Sequence, residues 1–181
     1  MKKEELREHG FVVWITGLPG SGKSTIANGV EKELRARGLK VENFDGDEVR
    51  RNLSKGLGFS KEDRDTHNKR IIYVCQLLTR NGVNAIVSLI SPYRSTRAYA
   101  REQLPKFVEV YLKCSIKECI RRDPKGLYKK ALAGEITNLT GIQDPYEEPL
   151  NPEVTLDTEN DRPRQNIRKV LDKLRSLGYI R

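Results

Sequence analysis

The sequence predicts a doubly wound α/β domain: a mainly parallel, five-stranded sheet with helices on both faces and a lid segment. Three observations carry that prediction. Five short apolar runs are separated by segments of helical periodicity, and alternation of this kind packs as a helix-covered parallel sheet. The runs are apolar at successive positions, as in strands buried on both faces. The first strand also passes into the first helix through a glycine-rich turn.

In chain order, FVVWITG (11–17) is the first strand. Residues 24–37 form a helix with Ile26, Ala27, Val30 and Leu34 on one face and Gly38 as its stop signal. KVENF (40–44) is the second strand, and a short helix, 47–53, follows it with Asp45 or Asp47 as cap. Ser60 in SKED caps a helix over 61–80, where Ile71, Val74, Cys75 and Leu78 recur at helical spacing. VNAIVSLI (83–90), FVEVYL (107–112) and EVTLDT (153–158) complete the sheet, and segments 94–104, 115–122 and 163–177 are helical. Residues 123–152, rich in Gly, Pro and charge, break the alternation and read as a long lid and substrate-binding loop. At 181 residues without internal repeats, the chain is one domain, 1–181, with residues 1–10 as an N-terminal extension.

Composition narrows the setting. No apolar run approaches the ~20 residues that a membrane span requires. MKKEELREHG resembles neither a signal nor a transit peptide, so a cytoplasmic location is expected. Lys plus Arg exceed Asp plus Glu by 34 − 25 = 9, a balance that favours anionic partners. Cys75, Cys114 and Cys119 form no CxxC pair, so they read as small core side chains and not as a zinc site.

The chemistry starts at GLPGSGKST (17–25), a full G-x-x-x-x-G-K-[ST] phosphate loop between a strand and a helix. Gly17, Gly20 and Gly22, with Ser21 between them, let backbone N–H groups turn toward phosphate, and the N-terminus of the helix adds its positive end. Lys23 reaches the β/γ-phosphates, Ser24 ligates Mg²⁺, and Thr25 follows. A nucleoside triphosphate as co-substrate and Mg²⁺ as cofactor follow from this loop. No guanine motif is present, since NKRI (68–71) lacks the required Asp. The strand that would carry a metal-side acid ends instead at Ser91. Metal and base duties therefore pass to Asp45 and Asp47 of DGDEVR, at the carboxyl end of the second strand where ligands collect. Arg50 suits an anionic acceptor, because a guanidinium grips phosphate or sulfate in two-pronged fashion. Sequence does not decide which Asp is the base.

FDGDEVR, LGFSKEDR, SLISPYR, RRDPKGLYKKA and LTGIQDPYEEP, together with the phosphate loop, resemble the adenylylsulfate kinases in order and spacing from about residue 11 to the C-terminus. The resemblance implies MgATP-dependent phosphorylation of the 3′-hydroxyl of adenosine 5′-phosphosulfate (APS) to 3′-phosphoadenosine 5′-phosphosulfate (PAPS), in sulfate activation. It implies Asp45, Lys23 and Ser91 as catalytic residues, Ser91 being the family's phosphoserine position. The ATP site comprises the phosphate loop and Arg122. The APS site comprises Asp47, Arg50, Phe59, Arg64, His67, Ile90, Ser91, Lys125 and Leu139. Ser24 holds Mg²⁺, with Asp45 joining through water. A homodimer and functional association with a sulfurylase are also implied.

Four positions depart from the family pattern. His67 replaces the usual Asn, with Asn68 beside it; it either donates a hydrogen bond in the amide's place or makes binding pH-sensitive. Leu139 replaces an aromatic, Gln143 an acid, and Pro19 lies inside the phosphate loop. The competing readings are another small P-loop kinase, a nucleic-acid-binding ATPase, and a non-catalytic partner of a sulfurylase. No helix-turn-helix, zinc or base-stacking signature accompanies the basic charge, so neither nucleic acid nor a membrane is expected as partner.

Overall fold

The computed structural model describes residues 9–181, so residues 1–8 of the N-terminal extension lie outside the described residues. Five strands, β1 (Val12–Thr16), β2 (Val41–Asp45), β3 (Asn84–Ser88), β4 (Phe107–Lys113) and β5 (Val154–Asp157), form one sheet in the order β2-β3-β1-β4-β5. Every pairing is parallel. Parallel strands require crossovers, and helices supply them: α1 (Lys23–Arg35) from β1 to β2, α2 (Gly46–Asn52) and α3 (Lys61–Thr79) from β2 to β3, α4 (Arg94–Gln103) from β3 to β4, and α5 (Ile116–Arg122) and α6 (Leu127–Leu132) from β4 to β5; α7 (Pro163–Ser176) follows the last strand.

The pleat of β1 divides the core. Val13 and Ile15 pack with Ile26, Val30 and Leu34 of α1 and Val170 and Leu174 of α7. Val12 and Trp14 face the other way, against Ile71, Ile72 and Cys75 of α3 and Ala100 of α4. Strands buried on both faces, as β1 and β3 are along their whole length, explain the unbroken apolar runs. Edge strand β2 is more polar and only Val41 is buried.

Each capping signal does its work. Ser60 Oγ accepts from Asp63 N at 3.1 Å, and Asp63 reaches back to Gly58 N at 3.1 Å, so the cap also fixes the loop that carries Phe59. Asp45 caps α2 by accepting from Asp47 N at 3.0 Å.

The reading of 123–152 as loop requires correction, because the segment contains α6. Asp123 turns the chain after α5, and its two carboxylate oxygens accept from Tyr128 N (3.2 Å) and Lys129 N (2.9 Å). Six residues are too few to hold a helix alone. Tyr128 anchors this one: it is buried, and its hydroxyl donates to Pro19 O at 2.9 Å, tying lid to phosphate loop. Among the described residues no helix is long and apolar enough to cross a membrane.

Candidate active site

All five strands point their carboxyl ends at one cleft of about 1260 Å³, bounded by the phosphate loop, α2, the β3–α4 loop, the lid and the β5–α7 loop. Typical small-molecule pockets are ~300–1,000 Å³, so this one has room for two nucleotide-sized ligands.

The donor half is built on the phosphate loop. Gly20 (φ 76°) and Gly22 (φ 93°) adopt a backbone that side chains disfavour, which is why glycine is required there. Lys23 Nζ donates to Gly17 O (2.9 Å) and Leu18 O (2.7 Å). Burial holds its pKa down at about 8, against the opposing pull of Cys119, Asp45 and Asp47. Ser24 Oγ donates to Asp45 Oδ2 at 2.7 Å, which joins the loop's hydroxyl to the end of β2. Arg122, half-buried at the rim, is held by Glu118 (2.7 Å) and Thr158 O (2.7 Å).

The other half of the cleft lies opposite. Phe59 is 53% exposed and its ring lines the cleft. Two guanidiniums flank it, with Arg50 Cζ 4.3 Å and Arg64 Cζ 5.6 Å from the ring centroid. Arg50 is fixed by Gly58 O (2.9 Å); burial first, and then Arg64, push its pKa down. Arg64 is buried and held by Phe59 O (2.9 Å), Asn138 O (2.6 Å) and Asp144 (3.4 Å). From the lid, Lys125 pairs with the exposed Asp47 across the cleft.

Ser91 ends the β3 side. It is 2% exposed, with a positive φ of 42°. Its hydroxyl accepts from Trp14 Nε1 (3.1 Å) and donates to Asn68 Oδ1 (3.0 Å), so it is engaged in both directions, and no carboxylate or imidazole is among those partners. Such a hydroxyl shapes a wall, whereas a nucleophile needs an adjacent base. Ile90 is half-buried beside it and also lines the cleft.

A family model for adenylylsulphate kinase matches residues 9–157. The chain belongs to the adenylylsulfate kinase family. An adenylyl-sulfate kinase of Picosynechococcus sp. is 53% identical over 175 residues, which cover 97% of this chain and 99% of that one. A probable bifunctional SAT/APS kinase of Sorangium cellulosum is 58% identical over 171 residues, 94% of this chain but 29% of that protein's length. The Mycobacterium tuberculosis APS kinase CysC, solved in complex with AMPPNP and APS, superimposes with a TM-score of 0.89 at 41% identity, covering 92% of this chain and 98% of that one.

The departures from the family pattern can now be placed. His67 is 4% exposed, with Nδ1 bonded to Ser54 Oγ at 2.8 Å. Burial, and then the charges of Arg50, Arg70 and Arg64, lower its pKa to about 4. Of the two alternatives for His67, a neutral hydrogen-bonding ring is the one this environment favours near pH 7. Leu139 lines the cleft but is only 7% exposed, packed with Cys119, Tyr128 and Ala131. Gln143 fixes it by accepting from Leu139 N at 2.9 Å. Pro19 supplies the carbonyl on which Tyr128 docks.

Sequence reasoning missed two groups of lining residues. Thr158, Asn160, Asp161, Pro163 and Asn166 line the cleft after β5. The rule that ligands collect at carboxyl ends of strands would have found them. Asn68 carried no such signal, since only the fold brings it to Ser91.

Proposed function

We propose that the protein transfers the γ-phosphoryl group of ATP to the 3′-hydroxyl of APS, yielding PAPS and ADP. The observation that carries this reading is the acceptor half: an exposed Phe59 between two arginines, facing a complete phosphate loop across a single cleft. A base stacks on the phenyl face while Arg50 and Arg64 meet the anionic end.

Lys23 neutralises the β/γ-phosphates as charge develops on the transferring group. The Ser24 hydroxyl and Asp45 carboxylate are hard oxygen donors 2.7 Å apart, a set that suits Mg²⁺. Mg²⁺, when bound, offsets phosphate charge. Asp45, nearest the phosphate loop, takes the proton as the 3′-oxygen bonds to phosphorus and ADP departs. Asp47 from α2 and Lys125 from the lid hold the acceptor between them. Ser91 and Ile90 form its wall. Arg122 covers the ATP base, with the β5–α7 loop beside it. A homodimer in the cytoplasm belongs to the same reading. So does association with a sulfurylase, supported by the bifunctional Sorangium relative.

The test is a coupled ADP-release assay with MgATP and APS, run in parallel with AMP, adenosine and single-stranded DNA. ADP release should require APS, PAPS should form, and Asp45→Asn and Lys23→Ala should each lose at least ~100-fold in kcat. Turnover with another acceptor and not with APS would sink the assignment.

A further inference from the structure

Arg97 lies on α4, outside the residues assigned to ligands above, and is 2% exposed. Its Nε donates to Glu109 Oε1 of β4 at 2.8 Å, one Nη to Ser91 O and the other to Glu147 O. Its guanidinium lies over the Tyr146 ring, 5.8 Å from the centroid. Around this hub, three consecutive carbonyls of the β3–α4 loop are each taken by a donor. Ile90 O accepts from Thr16 Oγ1 (2.6 Å), Ser91 O from Arg97, and Pro92 O from Glu147 N (2.9 Å). Thr16 has spent its proton on Ile90, so the 2.8 Å bond between Thr16 and Tyr146 is donated by the tyrosine hydroxyl.

That concentration of donors answers a local problem. Ser91 is a non-glycine residue at φ 42°, a conformation that persists only where its surroundings over-determine it. A buried ion pair is also a poor device for stability alone, since apolar residues of similar size serve a core as well. We propose that Arg97 is a positioning residue of the acceptor site, holding the Ile90–Pro92 wall in the shape that receives APS. The proposal rests on the reading of that wall as part of the acceptor site.

The test compares three variants in the APS-dependent assay. Arg97→Lys keeps a charge opposite Glu109, but an ammonium cannot reproduce the planar fork that serves Glu109, Ser91 and Glu147 together. The expected result is a KM for APS raised about tenfold or more, with the KM for ATP changed less than about twofold. The double variant Arg97→Met with Glu109→Met removes both buried charges at once, and Arg101 keeps its partner Glu153. It should fold with a Tm near the parent's and show the same APS-selective rise, which a merely structural ion pair would not produce. An unchanged KM for APS in a folded double variant, or equal rises for both substrates, overturns the proposal. Ser91→Ala separates the two layers of the argument. If it raises the KM for APS while the Arg97 variants do not, the positioning role fails. If it and the Arg97 variants move only the KM for ATP, the wall does not belong to the acceptor and the site reading fails instead.

Discussion

Lys23 shows how one residue can be prepared for its work by its surroundings. An ammonium enclosed by backbone carbonyls and stripped of water sits with its pKa near 8, whereas a solvated lysine is above 10. Phosphates favour the charged form, so the pKa in the ATP complex is higher than in the free protein. The sign follows: above pH 8 the free protein must take up a proton to bind ATP. The Kd for a fluorescent ATP analogue should be flat from pH 6.5 to about 7.5 and then rise roughly tenfold per unit beyond pH 8, one unit being worth about 1.4 kcal/mol. Lys23→Arg should abolish the rise. A flat profile to pH 9.5 in the parent would contradict the lowered pKa. His67 makes the opposite case, because with its pKa near 4 it contributes no break to the same profile.

At the scale of elements, the lid is the informative piece. Helix α6 owes its start to Asp123, whose carboxylate takes two of its free N–H groups, and its position to Tyr128 on Pro19. Lys125 lies between these two anchors, and it is the lid lysine that lines the cleft, whereas Lys129 and Lys130 are exposed outside it. Asp123→Ala should cost on the order of 1 kcal/mol in urea denaturation. It should also speed amide exchange across 126–132 and raise the KM for APS several-fold. Unchanged exchange there would show that Tyr128 alone holds the lid. This helix was not legible in the sequence, because its start depends on a carboxylate outside it and its anchor on a carbonyl 109 residues away. The Ser60 cap was legible, and the cap of α2 narrowed to Asp45 or Asp47, because capping is local, a side chain bonding an N–H two or three residues on.

For the molecule as a whole, net charge sets the encounter. A chain of net charge +9 should draw in two anionic nucleotides from a distance by its overall field, because within the cleft Lys23, Arg50, Arg64, Arg122, Lys125 and Arg162 are matched by as many carboxylates. Raising ionic strength from about 0.05 to about 0.5 M shortens the screening length to a few ångströms and should lower kcat/KM for APS roughly tenfold, with kcat little changed. An equal fall in kcat would mean that salt acts on the bound state and not on the encounter. The five strands, the phosphate loop and the place of the Asp45–Asp47 pair at the carboxyl end of the second strand were determined by sequence. Each rests on periodicity, on glycine's freedom of backbone or on a short spacing, and such signals are carried by neighbouring residues. The tertiary structure alone decided that Ser91 is spoken for by Trp14 and Asn68, that His67 is neutral near pH 7, and that Arg97 bonds the Ser91 carbonyl. Those facts depend on burial and on partners from other strands and helices. Desolvation and long-range hydrogen bonds exist only once the sheet has brought distant segments together.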